Sequence, residues 1–162
     1  MAINTLLLGV LSLALSVTAT VTEDLDAIAD KLNTIDFHIS EYNNETQKLD
    51  LSGFHDLFAA YDAVKIQPFT KIEEEDIVNY VTVLAYDYQL FSELISNKAD
   101  LIKKGGFGNA LSSDLHVLKF KSLDLLYAYE AETKDDNPNA SNELDSLSGQ
   151  IDSYIETAIS SV

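Results

Sequence analysis

Apolar side chains recur at steps of three and four along most of this chain, with only two prolines and six glycines to interrupt them. That spacing matches the turn of an α-helix and leaves one oily stripe per segment to bury. In the first segment Leu25, Ile28, Leu32, Ile35, Ile39 and Tyr42 form the stripe, while Asp24, Asp26, Asp30, Lys31 and Glu41 take the other faces. A second carries Leu51, Phe54, Phe58 and Tyr61 and ends before Gln67-Pro68, because proline disfavours helical geometry in the residue ahead of it. The third is the broadest, with Ile77, Tyr80, Val81, Leu84, Tyr88, Phe91, Leu94 and Ile95. Its face needs several neighbours, and the pattern predicts a break near Asn97. Leu111, Leu115, Leu118, Ser122, Leu125 and Tyr129 mark a fourth segment, and Leu144, Leu147, Ile151, Tyr154, Ile155 and Ala158 a fifth. No period-two pattern competes, so the expected fold is all-α, a five-helix bundle in a single domain.

The links between segments carry their own signals. Thr70-Lys71-Ile72-Glu73 has the form of a capping box. The acidic run from Glu73 to Asp76 reads as a solvated first turn matched to the positive end of the helix dipole. Gly105-Gly106-Phe107-Gly108 is a turn that holds a large aromatic ring, either an anchor on the core or a lid over a ligand. A polar linker from Thr133 to Asn139, containing Pro138, leads into the last helix.

Residues 1–19 are uncharged and centred on an apolar run from Leu6 to Leu15, too short to cross a bilayer comfortably. Small residues in Val17-Thr18-Ala19 suit signal peptidase, so a secretory signal is expected at 1–19 and the helical domain at 20–162. No later run is long enough to be a transmembrane segment, and Ile159-Ser160-Ser161-Val162 lacks the tail of a glycolipid anchor signal. The expected location is therefore extracellular or in a cell wall. The sequons Asn44-Glu45-Thr46 and Asn139-Ala140-Ser141 make Asn44 and Asn139 candidate glycosylation sites.

Charge and composition exclude whole classes of function. Ten lysines and no arginine face 27 acidic residues, a formal charge of −17 that repels nucleic acid. Cysteine is absent, which removes disulfides, thiol catalysis and thiolate metal sites. His38, His55 and His116 fall on three different segments without the four-residue spacing of paired metal ligands, and they read as surface or boundary residues. Asp135, Asn137 and Asn139 alternate as in a calcium loop, but Ala140 stands at the glycine position and Ser146 at the glutamate position, so no metal is expected. No catalytic triad, phosphate loop or cofactor motif is present, and the expectation is a protein without catalytic residues or cofactors.

Four stretches carry a family likeness: Leu25-Asp26-Ala27-Ile28 through Tyr42, Ile77-Val78-Asn79 through Leu101, Asp114-Leu115-His116-Val117-Leu118-Lys119, and Gln150-Ile151-Asp152-Ser153-Tyr154 through Ile159. In their order, spacing and lack of cysteine they resemble the fungal hydrophobic surface binding protein A family, which includes cell-wall galactomannoproteins. The resemblance covers Asp24 to Val162. It implies a five-helix bundle, secreted or wall-associated, that binds hydrophobic surfaces or holds fatty acids between its helices. The chain departs from the family at Ala99, where relatives often have proline, and it lacks a Ser/Thr-rich tail.

Under that resemblance the candidate lipid lining is Phe58, Tyr61, Leu84, Tyr88, Phe91, Leu118, Leu125, Ile151 and Tyr154, with Ser122 or Tyr88 bonding a carboxylate head. Little cationic help is expected for that head. The alternative is a wall or surface-adsorbing protein that spreads its inner faces on an apolar solid and recruits secreted hydrolases.

Overall fold

The computed structural model describes the backbone of every residue except Met1, Glu45, Gln67, Thr70 and 134–136, and the side chains from residue 21 onward apart from these and 71–72. The signal segment 1–19, the start of the capping box at Thr70 and the calcium-like series at Asp135 thus lie outside the described residues or side chains. Among the described residues the elements are α1 (Ala2–Glu41), α2 (Gly53–Ala63), α3 (Lys71–Lys104), α4 (Gly108–Thr133) and α5 (Pro138–Ser161).

Short connections make consecutive helices antiparallel. Gly53 at the start of α2 sits against Ile35, while Asp24 accepts the backbone N–H of Lys65 just beyond the end of α2, so α2 runs back along α1. At the other end α3 and α5 finish together, with Ser96 and Ser161 hydroxyls 2.9 Å apart. Helices α1, α3 and α5 therefore point one way and α2 and α4 the other. Helix α1 packs on α2 and α3, α5 on α3 and α4, and α2 also on α4.

All five stripes meet in one hydrophobic core that includes Ile28, Leu32, Leu57, Phe91, Leu115 and Ile151, each fully buried. Each such side chain contributes about 1.5–3 kcal/mol by leaving water. Local chemistry sets the ends. Asn137 caps α5 by accepting the Ala140 N–H at 3.3 Å, with Pro138 in the first turn where its missing N–H costs nothing. Helix α3 ends at Lys104, and Gly106, with a φ of 82°, closes the turn, its N–H donating to Lys103 O at 3.0 Å and the Phe107 N–H to Ile102 O at 3.0 Å. Half-buried Phe107 stands edge-on to Tyr42, ring centres 5.9 Å apart, which is the anchoring arrangement.

Helix α3 does not break near Asn97 but runs on to Lys104, because Ile95, Ala99 and Ile102 continue the buried stripe. Lys98 helps hold that stretch: its Nζ donates to Ser40 O at 2.9 Å and Tyr42 O at 3.0 Å, at the negative end of α1. The acidic first turn of α3 is also not wholly solvated, since Glu73 is 4% and Glu74 0% exposed. Glu74 lies three and four residues before Ile77 and Val78, on the inward face, and neither of its carboxylate oxygens has a hydrogen-bond partner among the described residues. No helix of the described residues is long and apolar enough to cross a membrane.

Candidate functional site

The fold brings most of the candidate lining together. Tyr61 on α2, Leu84, Tyr88 and Phe91 on α3, Leu118, Ser122 and Leu125 on α4 and Ile151 on α5 are all buried. Phe58 and Tyr154 are half-buried and pack on the same core from its edge. Phe54, absent from the candidate set, joins α2 to α3, with its ring centre 5.9 Å from Phe58 and 6.3 Å from Phe91.

At the centre of this oily region three hydroxyls from three helices meet. Tyr61 and Tyr88 oxygens lie 2.5 Å apart, Tyr88 and Ser122 2.8 Å, and Ser122 and Tyr61 3.1 Å. Ser122 also reaches the Leu118 carbonyl, one turn back on α4, at 2.8 Å. Three O–H protons serve four contacts, so one contact always lacks its proton and the network can re-rotate. Burial pushes the Tyr61 phenol up to about 12, against the lowering effect of its bonds to Ser122 and Tyr88. Burial, then the neighbouring Tyr61, raises Tyr88 well above the ordinary phenol range. Both therefore stay neutral near pH 7 and remain hydrogen-bond donors.

Tyr61 and Leu125 also open onto a surface cleft of about 210 Å³, completed by Asp62, Val64, Ile66, Lys121, Asp124 and Ala128. It lies where α2 and the segment after it meet α4. Among the described residues two larger clefts contain none of the candidate lipid lining. One of about 370 Å³ lies between the starts of α3 and α5 around Glu75, Asn79, Asn137 and Glu143. The other, about 320 Å³, surrounds His38, Glu41, Lys48 and Asp50 at the end of α1. Pockets for drug-sized ligands usually measure roughly 300–1,000 Å³. The cleft beside Tyr61 is smaller than that, too small as it stands for a long acyl chain.

Solved structures with this fold hold lipid. AfMP4p in complex with palmitic acid superposes with a TM-score of 0.76 at 21% identity, over 89% of this chain and 98% of that one. Ligand-binding domain 1 of Penicillium marneffei MP1, complexed with arachidonic acids, gives 0.78 at 14% identity over 88% and 95%. Domain 2 of the same protein, complexed with multiple arachidonic acids, gives 0.74 at 15% over 88% and 94%. At such identities the likeness establishes the helical-bundle fold. No protein-family model matches the sequence, and no curated protein matches it significantly.

Among the described residues no group of three or more His, Cys, Asp or Glu side chains could hold a metal ion. His55 and His116 are exposed, and His38 is half-buried with its Nδ1 4.0 Å from Asp50. Sequence reasoning found Ser122 as a polar break in an apolar stripe but missed that Tyr61 completes a hydroxyl cluster with it. The one available signal was that both phenols fall on inward positions of neighbouring helices. It also missed a cation at the cleft, because Lys121 reads as a residue beside the stripe.

Proposed function

We propose that the protein is a secreted, non-enzymatic fatty-acid-binding protein that holds one long acyl chain between its helices, within the hydrophobic surface binding protein A and galactomannoprotein family it resembles. The observation that carries this reading is a polar cluster of three hydroxyls set in an apolar core behind a cleft, in a fold shared with domains solved with palmitic or arachidonic acid.

The driving force is burial of the chain. Each methylene leaving water contributes about 0.8 kcal/mol, on the order of 10 kcal/mol for a long acyl chain before ordering costs. Because the closed cleft is small, entry needs a helix to move, and α2 is the fitting one. It is short, 11 residues, with non-helical connections on both sides. Moving it outward from α4 exposes Tyr88, Phe91, Leu118, Ser122 and Leu125 to the acyl chain, with Leu84, Ile151, Phe58 and Tyr154 around them. The carboxylate head meets Ser122 or Tyr88.

A signal at 1–19 and glycans on Asn44 and Asn139 complete this reading. Both asparagines are exposed, and Asn44 Oδ1 accepts the Thr46 N–H at 3.0 Å and its hydroxyl at 2.5 Å, with Thr46 exposed as well.

A second reading, adsorption to hydrophobic surfaces or association with a cell wall, draws on large apolar side chains left in water: Phe120 at 67% exposure, Phe37 at 61%, Tyr86 at 58% and Tyr127 at 53%. Thermal melting with and without palmitate separates the two. A hundredfold excess over Kd stabilises the fold by about 2.7 kcal/mol, a rise of roughly 5–10 °C for a domain of this size. An unchanged melting temperature, together with depletion of the protein by an apolar resin, would point to adsorption instead.

A further inference from the structure

We infer that Lys121 and Asp62 form an exchange pair at the mouth of the cleft, in which the carboxylate of an incoming fatty acid takes the place of Asp62 on Lys121. This rests on the fatty-acid reading and specifies which head group the site selects: a free carboxylate, not an alcohol or ester.

Tyr61 and Asp62 are adjacent on α2, and Lys121 and Ser122 are adjacent on α4. The two pairs meet in two tiers. Inside, Ser122 and Tyr61 hydroxyls touch at 3.1 Å; outside, Lys121 Nζ bonds Asp62 Oδ1. All but Ser122 line the one cleft, so the ammonium stands at its entrance and the hydroxyls lie behind it.

The outer tier is built to exchange. The Lys121 side chain is 24% exposed and that of Asp62 68%, so the aspartate returns to water at little cost when it lets go. The lysine keeps its place against the cleft wall. Other described lysines are held differently: Lys119 bonds both Asp152 and Glu156 on α5, and Lys98 is fixed on the end of α1. Asp124 lines the same mouth and repels an anion. With −17 on the chain, an incoming carboxylate is welcome there only if Asp62 leaves as it arrives.

Departure of Asp62 also unfastens α2 from α4 on the outside. The hydroxyls left behind then re-rotate so that Ser122 or Tyr88 donates to the carboxylate, while Leu118 O keeps its helical bond. Head-group capture and helix opening thus become one event.

The test compares palmitate with 1-hexadecanol, which has the same chain and no charge, by equilibrium competition against a fluorescent fatty-acid probe near neutral pH. In Lys121→Met, palmitate should weaken roughly tenfold to hundredfold, the worth of a charge-assisted bond, while hexadecanol is unchanged. Lys121→Arg should keep most of the preference, and Asp62→Asn should tighten palmitate severalfold without affecting hexadecanol. If Lys121→Met leaves the ratio of the two lipids unaltered, or weakens both alike, the exchange pair is overturned while fatty-acid binding stands. If the unsubstituted protein binds neither lipid, the fatty-acid reading falls and this inference with it.

Discussion

Replacing Asp36 with asparagine should stabilise the protein above neutral pH and do little in acid. Asp36 is on α1, and its Oδ1 is buried without a hydrogen-bond partner among the described residues. Burial first, and the nearby Asp87 second, push its carboxyl from 3.8 up to about 7. Asp87 is itself raised by burial. Between about pH 4 and 7 the folded chain therefore holds a proton that the unfolded chain has released. Stability falls as pH rises through that window, and above it the folded state carries the whole cost of a poorly solvated charge. At about 1.4 kcal/mol per pH unit the cost reaches at most about 4 kcal/mol, and the solvent that reaches this half-buried group reduces it to about 1–2 kcal/mol. Asparagine keeps the shape and removes the charge.

Thermal unfolding followed by far-ultraviolet circular dichroism should show Asp36→Asn melting about 2–8 °C above the unsubstituted protein near pH 8, with the gap closing toward about pH 4.5. Asp26→Asn on the exposed face of the same helix removes an equal charge and controls for the general repulsion of a chain at −17. A gain of the same size at both pH values, or one that the Asp26 variant reproduces, would rule out the Asp36 charge as its cause.

Gly105→Ala should destabilise by about 1–3 kcal/mol, because the added Cβ would stand 1.9 Å from the Tyr42 hydroxyl. That hydroxyl has no partner among the described residues, so Tyr42→Phe should cost little alone and recover part of the loss in the double variant. Leu118→Ala, at a fully buried position in the hydrophobic core, should cost about 2–5 kcal/mol in urea unfolding.

Most of the bundle could be read from the chain because helical periodicity is written locally. Ile28, Leu32, Ile35 and Ile39 announce the inner face of α1 without reference to any other helix. Features that depend on a second helix were hidden. The stretch Ser96-Asn97-Lys98 looks like an ending until the end of α1 supplies carbonyls for Lys98. Glu74 looks solvated until the neighbours of α3 cover it. The candidate site divides in the same way. Its apolar residues and Ser122 follow from their stripes, whereas the meeting of Tyr61 with Ser122, and of Lys121 with Asp62, depends on how α2 crosses α4.

To carry a fatty acid, the core must open and admit a single acyl chain. Native mass spectrometry of the intact protein titrated with palmitate measures that directly. One adduct should form and saturate at a single palmitate per chain. A spectrum that stays unliganded at excess lipid, or a ladder of adducts that never levels off, would contradict it.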